Sequence, residues 1–147
     1  VPPHVGTKLY MAQIDPHLTR GCEIAVDINE HLINDLECVQ LKYLRRVLGL
    51  SSRSPIAPLF AETGMMPLRH RRLTLALRYL DHVIRAPPER YISSALQLLF
   101  ALSLAGHSTW LTDLLFSLRR LPHAPIDATV LDLLDLGRLT EIELQTL

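Results

Sequence analysis

Proline and glycine interrupt this chain about every twenty residues, and the segments between them repeat apolar residues at helical spacing. Leucine dominates these segments, runs of β-branched residues are absent and glycine is scarce, a composition that favours helices over strands. The pattern predicts an all-α protein. We expect one domain over residues 1–147, folded as a compact bundle of about six or seven helices.

Two helices in the first part of the chain have clear boundaries. The first begins after Asp27 or Asn29, either of which is a good N-cap, and Gly49 ends it. Its apolar residues share one face, which we expect to be buried: Leu32, Leu36, Val39, Tyr43 and Val47. Pro67 opens the second, over residues 68–85, with an apolar stripe of Leu73, Ala76, Leu77, Leu80 and Ile84. A nearly opposite stripe is basic: Arg71, Arg78, His82 and Arg85.

Shorter helices are predicted on either side of the first of these two. Thr7–Ile14 has the pattern of a short helix near the N-terminus. Ser54 and Pro55 have the order of an N-cap followed by the first helical residue. We expect that helix to continue through Ala61 and to stop at Gly64.

The C-terminal part of the chain is more apolar and less regular. Tyr91–Ala105 is apolar almost all round, which predicts a central, buried helix. Ser108 is expected to cap the next helix, whose inner face would be Leu111, Leu114, Leu115 and Leu118. Asp127 and Thr140 are expected to begin helical turns farther along. Polar residues interrupt every apolar stretch before about 18 residues, so we expect no membrane span.

The formal net charge of zero conceals three segments of opposite sign. Residues 1–41 hold two basic and six acidic residues, residues 42–90 hold ten basic and three acidic, and residues 91–147 hold three basic and six acidic. The middle segment is therefore strongly basic between two acidic ones. This asymmetry indicates either an anionic partner for the middle segment or docking of the segments on one another.

The sequence contains no motif that we would expect of a catalytic centre, a metal site or a cofactor site. The seven histidines are scattered, and no phosphate-binding glycine loop or metal-binding cysteine pair occurs. Cys22 next to Glu23 should have a raised pKa, which disfavours a nucleophile. Asp132 and Asp135 fit a solvated helix face better than a pair of catalytic acids. With two cysteines and no visible signal peptide, we expect reduced thiols in an intracellular protein, cytoplasmic or nuclear.

Arginines of the middle segment are the remaining candidates for a function. Lys42, Arg45 and Arg46 come at the end of one predicted helix, and other arginines follow in a loop and on the next long helix. The guanidinium group forks onto phosphate oxygens, so such a surface suits a nucleic-acid backbone. The candidate binding residues are Arg45, Arg46, Arg53, Arg71, Arg72, Arg78 and Arg85.

Several motifs between Leu9 and Leu80 occur in a familiar order. A Gly-x-Glu element is followed by an Arg-Arg-x-Leu-Gly-Leu element, then by Glu-x-Gly, Pro-Leu and an arginine-rich helix. The series resembles the region just after the polymerase domain in reverse transcriptases of non-long-terminal-repeat retrotransposons. The matching residues are Gly21, Glu23, Arg45, Arg46, Leu48, Gly49, Leu50, Glu62, Gly64, Pro67, Leu68, Arg71 and Arg72.

The resemblance implies a thumb-like part of a polymerase over residues 9–85, with a helical extension of unassigned role over residues 90–147. In such enzymes the thumb grips the template–primer duplex while aspartates of the palm hold the metal ions. No Asp-Asp dipeptide occurs in this chain, so the resemblance implies a non-catalytic fragment. Its partners would be an RNA or DNA duplex and a polymerase palm domain.

A second interpretation needs no nucleic acid. The chain would then be a helical protein-interaction or structural module, whose basic stripe meets an acidic partner or its own acidic flanks. Leu41 and Leu48 project away from the main apolar face of their helix and are candidates for a second contact. The sequence leaves these two interpretations open, together with the oligomeric state.

Overall fold

The computed structural model describes residues 2–121, which form helices joined by short connections. In chain order the elements are α1 (Pro3–Leu9), a π-helical turn (Tyr10–Ile14), α2 (Asp15–Thr19), α3 (Glu30–Val47), α4 (Ile56–Thr63), α5 (Leu68–Ile84), α6 (Tyr91–Leu104) and α7 (Trp110–Arg119). The predicted all-α fold is confirmed. The helical turns predicted from Asp127 and Thr140 lie outside the described residues. Across residues 2–121, no helix is both long and apolar enough to cross a membrane.

Contacts divide the chain into two compact units, Val1–Leu80 and Asp81–Leu147. The first unit contains α1 to α4 and most of α5, and the second contains the last turn of α5 with α6 and α7. The motif series from Leu9 to Leu80 falls within the first unit. The single domain expected over residues 1–147 stays a prediction.

The core of the first unit forms around Tyr10 in the π-helical turn. Tyr10, Leu18 and Leu68 are buried together, and the rings of Tyr10 and Tyr43 lie 5.4 Å apart between centroids. Burial, followed by the negative charge of Asp15, raises the pKa of the Tyr10 hydroxyl to about 12. The cluster therefore joins the N-terminal helical turns to the first residue of α5.

Gly6 allows α1 to cross closely over α3. The hydroxyl of Tyr43 donates a hydrogen bond of 2.9 Å to the carbonyl oxygen of Gly6. A Cβ atom at Gly6 would lie 2.6 Å from Cγ1 and 2.9 Å from Cγ2 of Val47, which is closer than van der Waals contact. The crossing therefore requires a residue without a side chain at position 6.

Gln40 is a buried polar residue that connects α3 to the start of α5. Its Nε2 donates to the carbonyl oxygen of Met66 at 3.0 Å, and its Oε1 accepts from the backbone N–H of Leu68 at 2.9 Å. The amide thus satisfies a helix N-terminal donor that has no partner within α5. Both groups are bonded, so burial of this side chain is favourable.

The predicted inner face of α3 is partly wrong. Asn29 caps the helix and Gly49 follows its end with a φ of 65°, both as predicted. However, the buried residues are Ile33, Gln40 and Leu44, whereas Leu32 is 60% exposed. The apolar pattern missed Gln40 because it treats a glutamine as a surface residue, whereas two hydrogen bonds satisfy this one inside.

The boundaries of α4 and α5 lie within two residues of the predictions. Pro55, not Ser54, is the N-cap residue of α4, and the helix extends to Thr63 before Gly64 adopts a φ of 63°. Leu73, Ala76 and Leu80 of the predicted α5 stripe are buried. Ile84 is exposed, and Val83 is buried in its place.

The second unit departs more from the prediction. Thr109, not Ser108, caps α7 and forms a capping box with Thr112. The hydroxyl oxygens of Thr109 and Ser103 are 2.7 Å apart. Leu111, Leu114 and Leu118 of α7 are buried as predicted, and Leu115 is half-buried. In contrast, α6 has no buried residue, so the prediction of a central, buried helix over Tyr91–Ala105 is wrong. Uniform hydropathy does not specify burial, because burial depends on which other elements cover the helix.

Substitution of Gly6 by alanine should test the close crossing. We expect Gly6→Ala to lower the free energy of unfolding by about 1–3 kcal/mol, because the new methyl group overlaps Val47. In Gly6→Ala/Val47→Ala the overlap is removed, so the two changes should be less harmful together than the sum of their separate effects. Urea unfolding of the four proteins measures this coupling, and additive effects would contradict the proposed crossing.

Candidate nucleic-acid interface

The acidic N-terminal segment and the arginine cluster of α5 neutralise one another. Arg69, Arg71 and Arg72 occupy the first turns of α5, and each forms an ion pair with a carboxylate from residues 1–41. The carboxylates are those of Asp15, Asp27, Glu30 and Glu37. The charge pattern left two explanations open, an anionic partner or docking of the charged segments on one another. Such docking occurs within the first unit.

Arg72 is the most buried of these arginines, with 8% of its surface exposed. Its Nε donates to Oδ2 of Asp27 at 2.6 Å, and its Nη2 donates to Oδ1 at 2.8 Å. Its Nη1 donates to the carbonyl oxygen of Leu18. Burial alone lowers the pKa of Arg72, but the hydrogen bonds and charge of Asp27 outweigh burial and raise it above its ordinary value. Arg72 is therefore fully engaged inside the fold.

Arg71 and Arg69 are paired on either side of Arg72. Arg71 donates to the buried carboxylate of Asp15, with its Nη2 3.0 Å from Oδ2, and this hydrogen bond is the main cause that raises the pKa of Arg71. Arg69 reaches α3, where its Nη2 donates to Oδ1 of Asn34 at 3.0 Å and its Nε to Glu37 at 3.4 Å. Both guanidinium groups hold elements of the first unit together.

A different group of cations is left at the C-terminal end of α3. Between Glu37 and Glu62 the chain contains no acidic residue but four basic ones, Lys42, Arg45, Arg46 and Arg53. Lys42, Arg46 and Arg53 are exposed, and none of their side chains forms a hydrogen bond or ion pair within residues 2–121. We call Lys42, Arg45, Arg46 and Arg53 the α3 basic surface.

Arg45 fixes the geometry of this surface. Its Nη2 donates to the carbonyl oxygen of Ser54 at 3.1 Å, and its buried Nε has no hydrogen-bond acceptor among the described residues. Ser54 also closes a turn, because its N–H donates to the carbonyl oxygen of Ser51 at 3.1 Å. The turn that carries Arg53 is thereby held beside the last turn of α3. The structure thus brings together Arg45, Arg46 and Arg53 of the candidate residues.

The other two candidates lie elsewhere. Arg78 is exposed on α5 and has no ion pair within the described part of the chain. Arg85 falls in the second unit, where its Nε lies 2.8 Å from Oδ1 of Asp81. Both partners of this pair are exposed, so its contribution to stability is small. Lys42 joins the candidate binding residues, because it is exposed and lies one helical turn before Arg46.

Within residues 2–121 the structure contains no cluster of three or more metal-ligating side chains. A shallow groove of about 450 Å³ is lined by Thr7, Lys8, Met11, Ala12, Thr63 and Met65. Its lining lacks a carboxylate, a histidine or a cysteine, so it does not bring an acid and a base together. Burial, followed by the charge of Glu23, raises the pKa of the Cys22 thiol to about 11, in the direction that the sequence predicted.

Alkaline pH should destabilise the protein through Cys22. The unfolded chain loses the thiol proton near pH 9, whereas the folded chain keeps it up to about pH 11. The folded state therefore binds more protons in this interval, and the free energy of unfolding should fall as pH rises, by up to roughly 2 kcal/mol. Urea unfolding from pH 8 to pH 11 measures the slope. Between pH 8 and pH 10 it should become shallower in Cys22→Ala and persist in Cys38→Ala, which removes the exposed cysteine; above pH 10 the raised pKa of Tyr10 contributes a slope in all three proteins.

Paired and unpaired arginines should differ in their effect on stability. Arg72→Met removes the ion pair with Asp27 and the donor to Leu18, so it should lower the free energy of unfolding by about 2–3 kcal/mol. Arg46→Met, at an exposed position, should change it by less than about 0.5 kcal/mol. Equal losses for the two variants in urea unfolding would show that Arg72 has no special structural role.

Comparisons with protein families, with curated proteins and with solved structures found no match to this chain.

Proposed function

We propose that this chain binds the sugar–phosphate backbone of a nucleic-acid duplex through its first unit, as a non-catalytic, thumb-like part of a polymerase. The observation that supports this proposal is the separation of the basic residues into two groups. Arg69, Arg71 and Arg72 are paired with carboxylates, whereas the α3 basic surface has no carboxylate partner within residues 2–121. Unpaired cations on a fixed scaffold are what a polyanion can neutralise.

The spacing of the α3 basic surface fits phosphate contacts. Lys42 and Arg46 are four residues apart on α3, which separates them by about 6 Å along the helix axis. Phosphates of one strand follow one another with a rise of about 3.4 Å, so two such side chains span two or three phosphates. Arg53, held beside them by the Arg45–Ser54 hydrogen bond, adds a third contact. These contacts recognise charge and shape and carry no information about base sequence.

The motif series supports the same proposal. Gly49 and Gly64 of the series follow α3 and α4 with φ values of 65° and 63°, which the other amino acids rarely adopt. Arg45 of the series positions the turn with Arg53, while Arg71 and Arg72 tie α5 to the N-terminal segment. The motif residues thus include those that build the scaffold of the α3 basic surface, consistent with the resemblance to retrotransposon reverse transcriptases. In that setting a polymerase palm domain would be a further partner.

The alternative, a helical protein-interaction module, is supported by a different observation. In the second unit α6 exposes several apolar side chains, among them Leu98 at 62% and Leu104 at 60%. Tyr91, Leu98 and Leu102 recur at helical spacing and are all exposed, so they form an apolar stripe. Such a stripe is typical of a surface that meets another protein. Leu41 and Leu48, expected to make a second contact, are half-buried in the first unit.

Removal of two cations from the α3 basic surface should weaken duplex binding. A fluorescent 20-base-pair RNA–DNA hybrid is titrated with the full chain from 50 to 200 mM salt, and fluorescence anisotropy gives the dissociation constant. We expect Lys42→Ala/Arg46→Ala to reduce the slope of log affinity against log salt by about 2, since each phosphate contact contributes about 1.

The matched control removes one lysine and one arginine from another exposed part of the same unit. Lys8 and Arg20 are both exposed and have no ion pair within residues 2–121. Lys8→Ala/Arg20→Ala has the same net charge as the first variant, and it should leave the slope close to that of the unmodified protein. An affinity independent of salt, or the same loss in both variants, would contradict the proposal and favour the interaction module.

A further inference from the structure

Ser54 is followed by Pro55, and together they form the only Ser-Pro or Thr-Pro dipeptide in the 147 residues. This dipeptide is the local sequence that proline-directed protein kinases require. Ser54 is half-buried at the end of the Ser51–Ser54 turn, and its Oγ lies 3.3 Å from Oγ of Ser51. The side-chain partner of Ser54 is thus one exposed hydroxyl group, which is easily replaced.

A cation with unused hydrogen-bonding capacity lies next to Ser54. Nη2 of Arg45 is bonded to the backbone oxygen of Ser54, and Nε of Arg45 is buried without an acceptor. Buried donors in folded proteins nearly always have a partner, so the Nε–H of Arg45, which has none within residues 2–121, is a donor that an added acceptor could satisfy. Arg53, the preceding residue, is a second cation.

The start of α4 offers further donors to the same place. Its N-cap residue is Pro55, and no side chain accepts a hydrogen bond from the first turn of this eight-residue helix. Pro55 and Pro58 carry no N–H, so the free donors of this turn are the N–H groups of Ile56 and Ala57, and together with the helix dipole they favour a negative charge. Ser54 immediately precedes the N-cap, so a negative group on its Oγ would lie beside these donors.

We propose that Ser54 is a phosphorylation site and that the phosphate on Ser54 is held by Arg45 and by the N-terminus of α4. A proline-directed kinase and ATP supply the reaction. The Ser54 Oγ forms a bond to the γ-phosphorus, the bond from that phosphorus to the β,γ-bridging oxygen breaks, ADP leaves and the hydroxyl proton passes to the kinase. A phosphoserine carries a charge of about −2 and three strong acceptor oxygens.

Phosphorylation would convert the α3 basic surface from an unpaired into an internally paired one. The added charge neutralises Arg45 and Arg53 from within the chain, as Asp27 and Asp15 neutralise Arg72 and Arg71. Duplex binding by this surface should therefore be switched off; this consequence, unlike the phosphorylation site itself, rests on the proposed function. We expect affinity for the RNA–DNA hybrid to fall about tenfold at 0.1 M salt.

The first experiment tests the modification. The full folded chain is incubated with a proline-directed kinase and ATP, and the phosphate is located by mass spectrometry. We expect one phosphate, on Ser54, and none in Ser54→Ala. Failure to modify Ser54, or modification of other residues at the same rate, would overturn the proposed site.

The second experiment tests the geometry without nucleic acid. Phosphoserine is installed at position 54 by genetic encoding, and its phosphorus NMR signal is titrated with pH. The second pKa of the phosphate, ordinarily about 6, should be lowered by about half a unit by Arg45 and the helix terminus, and it should recover in Arg45→Gln. Phosphoserine at Ser52, exposed in the same turn, is the control of equal charge and should show a smaller shift. Equal shifts at the two positions would overturn the proposed pairing.

Duplex binding by the same proteins separates the two proposals. Weaker binding after phosphorylation of Ser54, with the lowered pKa, supports both. A lowered pKa in a protein that does not bind the hybrid in either form would refute the proposed function and the switch, while the phosphorylation site stands. An unshifted pKa with unchanged binding would refute the switch and leave the binding function supported.

Discussion

Buried ion pairs between the start of α5 and the N-terminal segment are the constraint on which the first unit depends. The guanidinium of Arg72 is nearly inaccessible to water, so it is tolerated only where the carboxylate of Asp27 and the carbonyl of Leu18 meet it. An ion pair of this kind contributes little net stability compared with apolar packing, but it selects one arrangement of the chain. We infer that Arg71 and Arg72 set the position of the connection before α3, since Asp15 is the first residue of α2 and Asp27 lies in the connection between α2 and α3.

The same pairing explains why the basic residues of the middle segment fall into two groups. Arg69, Arg71 and Arg72 meet carboxylates of the N-terminal segment, whereas the α3 basic surface meets none within residues 2–121. Arg45 holds the turn that carries Arg53, and its own Nε has no acceptor among the described residues. We propose that an acceptor supplied beside Ser54, from a nucleic acid or from a phosphate on the serine, neutralises this surface.

Sequence patterns predicted the helices well where local chemistry decides them. The Asn29 cap, Gly49, Gly64 and Pro67 act within one turn of the chain, so their effects are readable without knowledge of the partners. Patterns failed where burial depends on distant residues. Gln40 is buried because the backbone groups of Met66 and Leu68 bond to it, and α6 has no buried residue although ten of its fourteen residues are apolar. The candidate arginines show the same division: the pattern identified them as a group, but only their partners separate Arg72 from Arg46.

The sequence by itself determined the all-helical class, most helix boundaries and the location of the positive charge, because helix propensity, capping and charge are properties of neighbouring residues. The tertiary structure decided which of those positive charges are paired with carboxylates. Asp15 and Asp27 are more than forty residues away from the arginines that they neutralise, and no local rule connects them. Their pairing assigns Arg71 and Arg72 to the fold, whereas the α3 basic surface has no carboxylate partner within residues 2–121.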